Sequence, residues 1–352
     1  MITTSTQPRL TVNRTMVSPK MVSLPRFGLG MAALGRPGYI NLDRSAIFGE
    51  HDRSVEVMQS QANVVMDRLL ELTNQSKDSS HAQVPWLDCA RSYGLSEKFV
   101  GEYLRAHKVD PKDVYVSSKW GYTYVADWNV QLAKGEPHEV KDHSKDNFLK
   151  QLQETAEYLG EYVKLYQIHS ATFESGILEN IGAHKALAQC RAERGWTIGL
   201  SVSSPQQCDI IMQAMKLTVD GERLFDSVQC TYNVLEQRPH EALQEAHKAG
   251  LDIIIKEGLA NGRALRHETV QKYAKEMGCE PDQLALACIF AQAFEPRVLS
   301  GAVTADQLSS NWKALDVADK LRKDTALLSQ IMEECKMDSE EYWKERSALA
   351  WN

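Results

Sequence analysis

The seven cysteines of this 352-residue chain include no C-x-x-C pair. They stand at Cys89, Cys190, Cys208, Cys230, Cys279, Cys288 and Cys335, scattered and odd in number. That argues against a disulfide framework and a zinc ribbon, and it fits a reducing compartment. No basic run stands out in a chain of formal net charge −7, so nucleic acid and anionic membranes are not expected partners. No apolar run approaches the length needed to cross a bilayer. No His/Asp/Glu cluster has ligand spacing, and the two histidines of HEVKDHS (138–144) read as part of a solvated loop, so no metal is expected. Residues 1–25 contain no acid but carry Arg9, Arg14 and Lys20, with Arg26 next. Organelle transit peptides share this composition. The plainer reading, a short lead-in before one domain over 26–352 of a cytoplasmic protein, is preferred because the stretch is weakly amphipathic.

What is present is ordinary for a globular enzyme: 43% hydrophobic and 25% charged residues, enough for a large core. Short apolar or β-branched runs recur at 85–90, 114–120, 163–169, 197–203, 227–232, 252–257 and 298–303, after an irregular first strand PRFGLGMAAL marked by Gly28 and Gly30. Each suits a parallel strand covered on both faces. Amphipathic stretches lie between them. SEKFVGEYLRAH opens on a serine suited to capping, and KDNFLKQLQETAEYLG spaces Phe148, Leu149, Leu152 and Leu159 along one stripe. Pro205, Pro239 and Pro281 sit at first-turn positions. Eight strand–helix units closing on themselves predict a (β/α)8 TIM barrel.

Two segments exceed a minimal barrel. Residues 37–56 lengthen the connection after the first strand, and 121–144 form a long loop after the third. Long loops in compact domains tend to carry function. The second, with Trp120 before it, holds Tyr122, Tyr124 and Trp128. These aromatics either wall a substrate pocket, with Trp120 the first candidate, or pack the loop on the barrel rim. The chain past 316 reads as a charged helical extension in which Trp343 and Trp351 are candidates to cover the pocket.

The densest signal is WLDCARSYGLSE. An acid, Asp88, ends an apolar run; a phenol, Tyr93, follows; a Gly-x-Ser-Glu helix start comes next. Lys119 ends VYVSSK and His169 ends VKLYQIH. Taken singly, each of the four has a plain structural reading. Together they resemble the Asp-x-Ala-x-x-Tyr-Gly-x-Ser-Glu signature and the catalytic tetrad of the aldo-keto reductases. Asp88, Ala90, Tyr93, Gly94, Ser96 and Glu97 match the signature. The resemblance covers nearly the whole chain and implies the same TIM barrel. It implies an oxidoreductase that interconverts a carbonyl and an alcohol by hydride transfer, using NADP or NAD. Tyr93 would be the general acid/base, with its pKa pulled down by Lys119. Asp88 would hold Lys119, and His169 would orient the substrate oxygen.

No G-x-G-x-x-G opens a helix after a strand, so a Rossmann unit is absent. The resemblance instead lays the dinucleotide across the barrel mouth. Carried over by position, Gly30 and Met31 would lie near the nicotinamide, and Ser201 and Gln229 would hold its carboxamide. Leu259, Asn261 and Gly262 would cover the pyrophosphate; Gly301, Gln307 and Asn311 would bind the adenosine end. Three departures stand out. Val202 replaces an expected Asn. Lys256, followed by Glu257, occupies the place of a stacking aromatic. Gly301 and Gln307 stand where cations often grip a 2′-phosphate, leaving Arg263 or Arg266 as substitutes. NADPH preference is therefore left open. The pattern is nearest the branch of sugar dehydrogenases and pyridoxal reductases, so a sugar or small aldehyde is the first substrate expectation. The rival is a nicotinamide-binding interaction protein like the β-subunits of voltage-gated potassium channels, which a complete tetrad disfavours.

Overall fold

The computed structural model describes residues 23–42 and 53–352. Its centre is a closed barrel of eight parallel strands: β1 (Phe27–Gly30), β2 (Trp86–Asp88), β3 (Tyr115–Trp120), β4 (Val163–Ala171), β5 (Thr197–Val202), β6 (Ser227–Thr231), β7 (Asp252–Lys256) and β8 (Arg297–Ser300). Neighbours in sequence are neighbours in space, and β1 pairs with both β2 and β8 to close the ring. Helices lie between the strands, so the predicted (β/α)8 architecture is what the chain forms.

Alternation along the strands divides the core in two. Trp86, Tyr115, Leu165, Ile254 and Leu299 fill the barrel interior as a separate cluster, with Leu24 and Val84 beside them. Their neighbours Leu87, Val116, Tyr166, Ile255 and Val298 join the larger cluster between strands and helices. The interior plug explains the first glycine of β1: a Cβ at Gly28 would lie 2.3 Å from Trp86 Cε3. Two residues further along each strand, the same inward positions carry Asp88, Ser117 and Lys119, Gln167 and His169, and Lys256. An apolar floor thus sits under a polar layer at the C-terminal ends of the strands, where barrel enzymes keep their chemistry.

Several sequence expectations change in detail. Of the stripe on helix Lys145–Leu159, Phe148, Leu152 and Leu159 are buried with Gln151 and Thr155, but Leu149 is 43% exposed. A helix turns about 100° per residue, which carries Leu149 off the face that Phe148 occupies. Ser96 is the first helical residue rather than a cap; Leu95 holds the cap position, and the Ser96 hydroxyl turns to Ala90 O at 3.3 Å. The 121–144 loop contains an antiparallel hairpin, Tyr122–Tyr124 against Glu139–Lys141. The C-terminal extension is two helices after residue 316's own helix, Thr325–Cys335 and Ser339–Ser347, each capped by an aspartate, Asp324 and Asp338. Residues 1–22, most of the expected lead-in, and residues 43–52 lie outside the described part.

Candidate active site

The inward polar layer brings all four tetrad candidates together. Lys119 and Asp88, 0% and 2% exposed, form a buried ion pair through Nζ and Oδ2, and Lys119 Nζ also donates to Cys89 O at 3.0 Å. Asp88 Oδ1 accepts from Ser117 Oγ at 2.7 Å, and Ser117 Oγ accepts from Trp86 Nε1 at 2.8 Å. Gln167 Nε2 reaches Asp88 Oδ1 at 3.5 Å, and Gln229 Nε2 reaches Gln167 Oε1 at 3.4 Å. The Lys119 ammonium lies 4.9 Å from the centroid of the Tyr93 ring. The Tyr93 and His169 rings meet edge to face at 5.3 Å. His169 Nδ1 sits 3.2 Å from Ser92 Oγ, while Nε2 has no hydrogen bond among the described residues.

Electrostatics departs from the expected lowering of the Tyr93 pKa. Burial pushes the phenol well above its ordinary range, Asp88 adds to this, and Arg36 opposes it. The physical reason is that the phenol is fully enclosed, which disfavours the phenolate, and the Asp88 carboxylate acts in the same sense. Burial also drives His169 well below the usual histidine range, with Lys119, Arg36 and Lys256 acting in the same sense. The site at neutral pH therefore holds a protonated phenol beside a neutral imidazole.

Other signature residues build the frame. Glu97 is buried and pairs with Arg91 at 2.5 Å, while its other oxygen accepts from Ser118 Oγ and from Thr155 Oγ1 at 2.8 Å. It fixes the helix after the signature to β3 and to the next helix. Arg36, which sequence reading missed, is 3% exposed and donates to Ser92 O and to Glu139 Oε2, both at 2.9 Å. Its guanidinium stacks near Tyr93, Tyr39 and Trp351, at 5.4, 5.3 and 4.7 Å from their ring centroids. The only hint of it was an arginine in the ALGRPG segment just past β1.

A cavity of about 540 Å³ opens from this layer. Gly30, Asp88, Tyr93, Gln229 and Lys256 line it, as do Leu259, Asn261, Gly262, Gly301, Gln307 and Asn311. Six expected residues do not: Lys119 and His169, which stand in the polar layer beside it, and Met31, Ser201, Arg263 and Trp120. Met31 is fully buried, its N–H donates to Asp88 O, and its carbonyl accepts from Gly35 N. Ser201 is buried, and its hydroxyl accepts the Ser170 N–H at 2.9 Å. Arg263 pairs with Glu345 at 2.9 Å and lies over the Tyr342 ring. Trp120, the expected substrate wall, is fully buried against Phe148 and His143, with centroids 4.9 and 5.7 Å away. Alternation requires this: Lys119 points inward, so Trp120 points out toward the helices. Among the loop aromatics, Tyr122 is the one that meets His169, at 5.1 Å, while Trp128 donates to Arg53 O. Trp351 stacks on His138 at 4.0 Å, and Asn352 exchanges backbone hydrogen bonds with the cavity residue Tyr39, both 3.1 Å. Trp343 packs beneath, beside Tyr342.

At the inner end of the cavity, Glu257 receives Arg346 Nε at 2.8 and 3.1 Å. Burial opposes its charge, but Arg346 and Lys256 outweigh that and hold the carboxyl down to about 2. Two buried acceptors of the cavity wall, Gln229 Oε1 and Asn261 Oδ1, have no partner among the described residues. At the other end, helix Ala305–Trp312 presents its N-terminus under a Thr304 cap, and a Cβ on Gly301 would meet nothing within 4 Å. Backbone amides and an open glycine suit the phosphates of a dinucleotide. Gln307 Oε1 accepts Val303 N–H at 2.9 Å, and Asn311 bridges Ser300 and Asp282, both at 2.7 Å.

An aldo-keto reductase from Bacillus halodurans in its holo form superposes with TM-score 0.60 at 18% identity, covering 91% of this chain and 96% of that one. An aldo-keto reductase from Klebsiella pneumoniae in complex with NADPH gives 0.59 at 18% identity, covering 88% and 91%. An enzyme from a Medee basin deep-sea metagenome library gives 0.58 at 16% identity, covering 87% and 92%. At these identities the likeness speaks for the fold. A search of curated protein sequences gave no match. The model of the aldo/keto reductase family matches residues 54–332, most of the chain and all of the barrel from the first helix onward. The chain belongs to the aldo/keto reductase family.

Proposed function

We propose that this chain interconverts a carbonyl, in an aldehyde, ketone or aldose, and the corresponding alcohol, with a nicotinamide dinucleotide held in the cavity at the barrel mouth. The observation that carries this reading is the buried Lys119–Asp88 pair beneath a protonated Tyr93, with a neutral His169 at its edge. When bound, NAD(P)H supplies the hydride. The Klebsiella relative is described with NADPH bound, which supports a dinucleotide of this kind. Gln229 and Asn261, with their unpartnered oxygens, and the Thr304-capped helix end are the groups that would hold it.

The protein's own part is to hold and move a proton. Tyr93 Oη carries that proton at neutral pH, because burial disfavours the phenolate. A carbonyl oxygen at Tyr93 gains negative charge as it is reduced and becomes the better base, so the phenol donates. The Lys119 ammonium then faces the phenolate left behind, while Asp88 and Cys89 O keep Lys119 in place. His169, neutral and anchored through Ser92, offers Nε2 to the same oxygen and orients it. In the oxidative direction Tyr93 accepts the alcohol proton. A sugar or small aldehyde remains the first substrate class to try.

The test is a difference-absorbance screen at the nicotinamide band. Aldehydes and aldoses are run against NADH and NADPH, and sugars and alcohols against the oxidised forms. Tyr93→Phe should lower turnover by about a hundredfold or more while dinucleotide affinity changes little. Near-normal rates in Tyr93→Phe would refute the proton-donor role. Tight dinucleotide binding without turnover across the panel would favour a cofactor-binding interaction protein instead.

A further inference from the structure

Among the described residues, Lys256 is the cation that lines the cavity, and its charge is not matched by a carboxylate of its own, unlike the cations packed around it. Lys119 is paired with Asp88, Arg36 with Glu139, and Arg346 with Glu257. Lys256 lies 3.9 Å from Glu257 Oε1, but that carboxylate is already taken by Arg346 through several contacts. The Lys256–Glu257–Arg346 group therefore carries one net positive charge. Lys256 Nζ is held by Thr231 Oγ1 at 2.8 Å and Ser203 Oγ at 3.0 Å. Its third N–H has no hydrogen-bond acceptor among the described residues.

The position is at the reacting end. Thr231 lies two residues past Gln229 on β6, and Gln229 joins Gln167 and Asp88 in one polar chain. Lys256, Asp88 and Tyr93 line the same cavity. A hydride can only pass over van der Waals distance to a carbonyl whose oxygen reaches Tyr93. The redox-active ring must then stand among these residues, close to Lys256. An oxidised nicotinamide ring bears a positive charge and the reduced ring does not.

Resting on the cofactor reading above, we infer that Lys256 sets a redox preference: its ammonium repels the oxidised ring, so the site binds the reduced dinucleotide more tightly than the oxidised one. The repulsion also makes a bound oxidised ring a keener hydride acceptor. The effect needs the ammonium. Burial lowers Lys256 to about 8, with Glu257 raising it and Arg346 lowering it, so the preference must fade as pH rises through that value. The other titratable groups facing Lys256 are Cys230 on β6, Lys119 on β3 and His169 on β4, the last held neutral by burial well below its usual range. Burial pushes the Cys230 thiol far above that pH, so it stays neutral there.

The experiment titrates the full chain with NADH, NADPH, NAD+ and NADP+, following tryptophan fluorescence. It takes the ratio of oxidised to reduced dissociation constants for the wild type, Lys256→Met and Lys256→Arg. The wild-type ratio should exceed that of Lys256→Met by about tenfold or more, the scale for two unit charges within about 10 Å at an effective dielectric of about 20. Tenfold corresponds to about 30 mV in the potential of a two-electron couple. Lys256→Arg should keep the ratio and lose its pH dependence near 8, and the wild-type ratio should fall across that pH. The wild-type pH series stands alone if Lys256→Met does not fold. Equal ratios in wild type and Lys256→Met, or a wild-type ratio flat with pH, would overturn the redox preference and leave the cofactor reading intact. Failure of both redox forms to bind would overturn both.

Discussion

Replacing Lys119 with Met keeps most of the apolar stem and removes the ammonium. Two interactions go: the pair with Asp88 and the hydrogen bond to Cys89 O. Asp88, 2% exposed, would then keep one strong donor, Ser117 Oγ at 2.7 Å, and one distant one, Gln167 Nε2 at 3.5 Å. A buried carboxylate without its cation costs about 3–5 kcal/mol, because its desolvation is no longer offset. Urea unfolding should show this as a fall in midpoint at unchanged slope, since the surface exposed on unfolding stays the same. Activity should fall with it, because Tyr93 loses the cation that faces its phenolate. The cause can be isolated by adding Asp88→Asn. If the cost comes from the orphaned carboxylate, the double variant should be more stable than Lys119→Met alone. An unchanged midpoint in Lys119→Met, or a double variant destabilised by the full sum of the two single changes, would refute the reasoning.

Three further outcomes follow from named contacts. Glu257 is held near 2 against an ordinary 4.5, so it contributes stability that is present above about 4.5 and lost as pH falls through about 2. That shift is worth about 3 kcal/mol; Arg346→Met should remove it, so the gap in urea midpoint between wild type and variant should close on acidification, and a gap independent of pH would contradict the pairing. Gly28→Ala puts a Cβ 2.3 Å from Trp86 Cε3 in the barrel plug and should cost about 1–3 kcal/mol, read as a lowered melting temperature; an unaltered melting temperature would mean Trp86 can move aside. The end of the cavity proposed to take the adenosine is lined by Glu280, Asp282 and Asp306 with Gly301 and Gln307, so NADPH should bind no more than modestly better than NADH. A dissociation constant for NADPH lower by about a hundredfold or more would contradict this.

The barrel was legible because its strands are short apolar runs in a fixed order, and several carry a polar residue near the C-terminal end. Asp88, Tyr93, Lys119 and His169 could be picked out for the same reason: each lies at the C-terminal end of such a run or just beyond it. Register inside a run was not legible. WLD and YVSSKW are apolar or buried throughout, so composition does not say which residue faces in. Trp120 was misplaced on that account, while the inward phase of Lys119 fixes it on the outer face. Met31 and Ser201 are a different case. Both sit beside cavity positions, but the backbone groups of Met31 and the hydroxyl of Ser201 are taken up by Asp88, Gly35 and Ser170. The direction of the Tyr93 shift departs from the expected one because the sequence shows a lysine and does not show how fully the phenol is buried.

Pairing between distant charges is the part that no local pattern carries. Asp88 and Lys119 stand 31 residues apart and both end recognisable strands, so their meeting could be anticipated. Arg36 and Glu139 are 103 residues apart, and Glu257 and Arg346 are 89 apart, with one partner of each pair in a loop, hairpin or terminal helix. Pairs of this kind decide what the cavity presents. Arg346 takes Glu257 and leaves the Lys256 charge standing. Glu345 takes Arg263, which therefore does not line the cavity where a 2′-phosphate grip was sought. The terminal helix Ser339–Ser347 supplies both Arg346 and Glu345, so a single helix turned over the β7 loop reshapes the charge of a site whose chemistry sits on other strands. On the proposed reading, cofactor selectivity would be set by residues outside the barrel and proton transfer by residues within it.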